Sequence, residues 1–122
     1  MSKQRYRFVV LTNAVEGRDA EFNEWYTNTH LSDVLAVPGI VSAQRYVLAD
    51  FQRGANPQPY KYLAIYEIET ADLKWVAEEI GRRAGSSAMV ISDAMASEKI
   101  AAIFQPMPAL AGGKGLKRTL AG

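Results

Sequence analysis

The chain contains no cysteine, which removes disulfides, thiolate metal sites, iron–sulfur ligation and cysteine nucleophiles together. Histidine is almost as scarce: there is one, His30, in 122 residues. Neither sign of charge is in surplus, since fourteen Lys and Arg face thirteen Asp and Glu, for a formal net charge of +1. So weak a field gives nucleic acid or an anionic membrane little to hold. No apolar run nears the roughly 18 residues that a membrane span requires. The apolar run after the basic N-terminal residues is about five long, too short for a secretory leader. Also missing are GxSxG, GxGxxG, HxxE and DxD spacings and any zinc pattern. One histidine and scattered acids do not converge on a metal, so no metal and no cofactor is implied. The expectation is a soluble cytoplasmic protein, with no nucleic-acid or membrane partner, stabilised by packing alone.

What is present suffices for that. Hydrophobic residues make up 48% and charged residues 22%, enough for one globular domain with a proper core. Residues 6–12 (YRFVVLT) read as a strand, with Tyr6, Phe8 and Val10 on one face and Arg7, Val9 and Leu11 on the other. A helix should begin near Asp19, where Asp19, Glu21 and Glu24 complement the positive end of its dipole. Phe22, Tyr26 and His30 recur every fourth residue, with Trp25 and Thr29 beside them, and Val34 and Leu35 extend the stripe. Pro38 and Gly39 end that helix.

Residues 40–48 predict a second strand and residues 60–68 (YKYLAIYEI) a third, with Tyr60, Tyr62, Ala64 and Tyr66 sharing a face. Thr70 is the expected cap of a second helix carrying Leu73, Val76, Ala77 and Ile80. Residues 86–99 suggest a short helix or turn, in which Met89, Val90, Ile91 and Met95 could fill core gaps or cover a cleft. Residues 100–106 predict the last strand. The domain is thus expected to span 1–111, followed by a flexible basic Gly-rich tail over 112–122, which lacks the Walker spacing of a phosphate loop.

Strand, helix, strand, strand, helix, strand with right-handed crossovers gives an α+β, ferredoxin-like βαββαβ fold. Its four-stranded antiparallel sheet carries both helices on one face. Strands one, three and four are apolar on both faces, and a bare second face would exceed the patch a soluble monomer tolerates. A homodimer closed through sheet faces follows.

The block EFNEWYTNTH…VPGIVSAQRY resembles the first-helix region of the EthD-like group within the dimeric α+β barrel superfamily. The shared features are an acidic-aromatic helix start, a Trp-Tyr pair, a histidine, then Pro-Gly and a strand. They cover about the first 50 residues, and the order of elements carries the likeness to about residue 108. The resemblance implies a cleft faced by His30, with Trp25 and Tyr26 as its aromatics. It also implies a cofactor-free enzyme of small aromatic or polyketide-like metabolites, working by proton transfer as a cyclase, dehydratase, isomerase or decarboxylase. The alternatives are a cofactor-independent monooxygenase and a non-catalytic ligand-binding or accessory dimer of a catabolic pathway. Haem-degrading relatives carry their histidine in the second helix, where this chain has none.

The residues themselves point the same way for acid–base work, since only His30 titrates near neutrality without tuning. It is the candidate catalytic acid or base, with Asp33 or Asp50 to orient it. Trp25, Tyr26, Phe22, Tyr62 and Tyr66 are the candidate substrate-binding residues. Each tyrosine could equally be core, and Arg45 could bind a carboxylate or form an ordinary inter-strand ion pair.

Overall fold

The computed structural model describes residues 2–55 and 58–108. They run as β1 (Gln4–Thr12), α1 (Asp19–Trp25), a π-helical turn (Tyr26–His30), α2 (Leu31–Leu35), β2 (Ile40–Val47), β3 (Tyr62–Thr70), α3 (Leu73–Arg83) and β4 (Ile100–Phe104). The strands form one antiparallel sheet in the order β2-β3-β1-β4. The fold is α+β and ferredoxin-like, as the order of elements predicts. Among the described residues no helix is long and apolar enough to cross a membrane.

Alternation sorts the sheet into two faces. Phe8 pairs with Tyr66 and Val10 with Ala64, and these side chains join Phe22, Tyr26, Val34 and Val76 in the core under the helices. Val9 pairs with Ile65 and Leu11 with Leu63 on the opposite face. No helix covers that side among the described residues. Val9, Leu11, Leu63 and Ile65 are half-buried there, while Tyr46, Ile100 and Phe104 are 48%, 47% and 59% exposed. Ion pairs Arg5–Glu69 and Arg7–Glu67 border this apolar field at one end.

The first helix is not the uninterrupted α-helix expected. A four-residue step overshoots a 3.6-residue turn by about 40°, so three steps would swing Val34 about 120° away from Phe22. Yet Phe22, Tyr26, His30 and Val34 are all buried. The wider π turn takes back that drift, and the Leu31 N–H reaches the Tyr26 carbonyl across it. Thr29, expected beside the stripe, and Leu35, expected to extend it, are exposed instead. At the helix exit, Gly39 has a φ of +103°, and a Cβ there would lie 2.8 Å from Val76 Cγ2. Both facts demand glycine.

Other boundaries also shift. The third strand starts at Tyr62, and the last ends at Phe104. Asp72, not Thr70, caps α3 by accepting from the Trp75 N–H at 3.0 Å, while the Thr70 hydroxyl accepts from the Asp72 N–H. Segment 86–99 holds no helix. It is a series of turns pinned by bridges from Met95 to Ala14 and from Met89 to Ala84. The Val15 N–H donates to Ala94 O at 2.7 Å, and Arg18 donates to Asp93 Oδ1 at 2.7 Å, so the segment is tied to the entry of α1. The tail expected over 112–122 lies outside the described residues.

Candidate functional site

A bulge at Val41 decides what β2 sends toward the helices. Strict alternation from buried Ile40 would turn Ser42, Gln44 and Tyr46 inward. The register instead shifts between Ile40 and Ser42, so Ala43, Arg45 and Val47 stand opposite Tyr66, Ala64 and Tyr62. Arg45 therefore lies over an aromatic cluster, its guanidinium carbon 4.5 Å from the Tyr26 ring centre and 5.5 Å from those of Phe22 and Tyr62. It donates to Asn23 Oδ1 at 2.9 Å and Thr27 Oγ1 at 3.0 Å. It forms no ion pair among the described residues, in contrast to the inter-strand pair considered from sequence. Partial burial lowers its pKa.

Beyond Tyr26 lies an apolar cavity of about 170 Å³. Its walls come from every layer. The first helix supplies Tyr26, His30 and Val34; the sheet supplies Phe8, Val10, Tyr66 and Ala101; α3 and its end supply Ile80 and Ala84. The pinned 86–99 segment closes it with Met89, Ile91 and Met95, and Lys99 borders it.

His30 is 8% exposed. Its ring stacks on Trp25 at 4.6 Å and meets the Tyr26 ring edge-on at 4.8 Å. Nδ1 is sealed and has no hydrogen-bond partner among the described residues. Neither Asp33 nor Asp50 bonds to it; Asp33 acts only through its charge. Burial drives the imidazole pKa down to about 4, Asp33 opposes that, and Arg45 adds to it. At neutral pH the ring is therefore uncharged.

The Tyr66 hydroxyl donates to the Tyr26 hydroxyl at 3.1 Å in the buried interior. Burial raises both phenol pKa values, so both groups keep their protons at neutral pH. That bond uses only one of the two phenol protons, so the other is free for another acceptor. The cavity thus combines a neutral imidazole, which can accept a proton, with a phenol pair that can donate a hydrogen bond to a developing oxyanion.

Of the six residues singled out in the sequence, His30, Tyr26 and Tyr66 meet at this cavity. The other three do not line it. Trp25 backs the imidazole and donates from Nε1 to Val90 O at 3.3 Å. Phe22 is fully buried core beneath Trp25 and Tyr26. Tyr62 donates to Asp19 Oδ2 at 2.6 Å and faces an open groove at the β2 edge with Asn23 and Lys61. Lys99, just before β4, was not singled out in the sequence; its one signal there is its place two residues before Ala101, the side-chain period of a strand. Among the described residues no cluster of three or more His, Asp or Glu side chains could hold a metal ion.

No family model and no curated protein matches the sequence. Three solved structures share the fold. A candidate monooxygenase from Shewanella loihica PV-4 is 15% identical, with a TM-score of 0.55, over 89% of this chain and 100% of its own. An EthD family protein from Bacillus halodurans C-125 is 16% identical, with a TM-score of 0.51, over 85% and 100%. A dimeric ferredoxin-like protein of unknown function from Thermobifida fusca YX is 13% identical, with a TM-score of 0.57, over 87% and 93%. The EthD-like resemblance carried by the first-helix block and the likeness in fold therefore agree.

Proposed function

We propose that this protein is a homodimeric, cofactor-free cytoplasmic enzyme that moves a proton on a small aromatic or polyketide-like metabolite bound beside His30. The observation that carries this reading is the meeting of an uncharged imidazole and two protonated phenols in one apolar cavity. His30 accepts the proton through Nε2, since Nδ1 is sealed. The Tyr26 hydroxyl, held by Tyr66, stabilises the enolate or phenolate oxygen that forms. Because its pKa is depressed to about 4, His30 serves as a base; little of the acid form exists near neutrality. Cyclisation, isomerisation, dehydration and decarboxylation all pass through such an anion. The same deprotonation would open an electron-rich phenolate to oxygen, the chemistry of a monooxygenase such as the Shewanella loihica candidate.

The uncovered apolar sheet face supports pairing of two copies, as does the dimeric state of the Thermobifida fusca relative in fold.

A ligand-binding dimer without catalysis is the second reading. It is favoured by one feature: among the described residues no carboxylate or carbonyl orients Nδ1, as a third group commonly does for a catalytic base. Exchange in heavy water separates the two. A panel of one-ring enolisable ketones and phenols is incubated with protein, and loss of acidic C–H signal is followed by NMR. Enzyme-accelerated exchange that disappears in His30→Gln supports proton transfer. Equal rates with and without protein, alongside ligand-induced shifts of the His30 ring signal, would leave binding alone.

A further inference from the structure

The cavity is graded from end to end. Tyr66, Tyr26 and Val34 are at most 2% exposed and form its inner part, while Lys99, Ala84 and Ala101 are exposed and mark the mouth. Its volume of about 170 Å³ is close to the roughly 150 Å³ of an apolar cavity that accepts benzene. The volume matches one ring. Among the described residues Lys99 is the one lining residue that carries a full charge, and it holds no ion pair there, not even with neighbouring Glu98. An exposed lysine at an apolar mouth can lay its stem along the wall and keep its ammonium in water.

We infer that the cavity selects a single-ring aromatic anion, with its ring inward against Tyr26 and Tyr66 and its carboxylate outward on the Lys99 ammonium. This rests on the reading of the cavity as the substrate site and adds the charge, size and direction of what enters. Among the described residues no competing cation lines the interior: His30 is held neutral by its surroundings, and Arg45 packs on the Tyr26 ring without reaching the lining. Asp33, the acid nearest the imidazole by its electrostatic effect, belongs to α2 and does not line the cavity, so it does not oppose an anion at the mouth.

The single histidine makes the test specific, because its ring protons report on this cavity without overlap from another imidazole. Benzoate and benzyl alcohol are titrated into wild type and Lys99→Met, which keeps the stem and removes the charge. Wild type should bind benzoate about threefold more tightly than benzyl alcohol, which is what an ion pair to a water-exposed ammonium contributes. Lys99→Met should equalise the two while leaving benzyl alcohol unchanged. Equal binding by wild type, or a benzoate preference that survives in Lys99→Met, would overturn the inference and leave the cavity reading intact. If neither probe moves the His30 signal at millimolar concentration, both fall.

Discussion

Acidification should destabilise this protein across a window governed by one side chain. His30 titrates near 6.5 when unfolded and about 4 when folded. Between those values the unfolded chain holds more protons, so stability rises with pH. It is fully present above 6.5, declines as pH falls, and is wholly lost below about 4. At 1.36 kcal/mol for each pH unit, the full effect is roughly 3 kcal/mol, of which about 2 kcal/mol has gone by pH 4.5. That is a large part of the stability of a domain this size. Asp19, whose pKa is lowered chiefly by the Tyr62 hydroxyl, contributes in the opposite half of the acid range. Its stabilisation is lost only below 3.8, so it does not blur the His30 window. The direct assay is an NMR titration of the ring protons. The thermodynamic one is urea unfolding at pH 7 and pH 4.5 for wild type and His30→Phe, which keeps a ring on Trp25 and carries no proton. The variant should lose most of the slope with pH and should match or exceed wild type at pH 7, because it no longer buries an unbonded Nδ1. A ring pKa of 6 or higher, or an undiminished slope in His30→Phe, would refute the account of how the cavity holds its base.

Three further outcomes are expected. Gly39→Ala should cost about 2 kcal/mol or more in urea unfolding, since it strains a positive φ and drives a Cβ into Val76. Ile65→Lys, on the open sheet face, should yield a folded single protomer by sedimentation where wild type sediments as a dimer; a monomeric wild type at micromolar concentration would remove the face-pairing proposal. Arg45→Met should raise the His30 pKa, because the guanidinium is one of the groups that lowers it, and a ring titration unchanged from wild type would contradict that.

Periodicity made much of this molecule legible. Alternation in YRFVVLT and YKYLAIYEI sorted both faces of β1 and β3 correctly, because a strand has a period of two whatever lies beside it. The surplus of apolar residues on the second face was likewise visible without coordinates. The four-residue recurrence of Phe22, Tyr26, His30 and Val34 was visible too, though its meaning was not. Strict fours drift by about 120° across three steps of an unbroken α-helix, and that drift was the available signal for the π turn.

By itself, then, the amino-acid order determined the class of fold, the buried helix face and the presence of His30 on it, since these depend on spacing along one element. Tertiary structure decided what His30 faces and what charge it carries. The cavity draws its wall from α3, from both central strands and from a segment with no regular period, and no pattern in any one of them announces the others. The bulge at Val41 turned Arg45 onto the Tyr26 ring by a register shift that the β2 sequence leaves open. An imidazole pKa is likewise a property of surroundings: desolvation by residues far apart in the chain takes it from 6.5 to about 4.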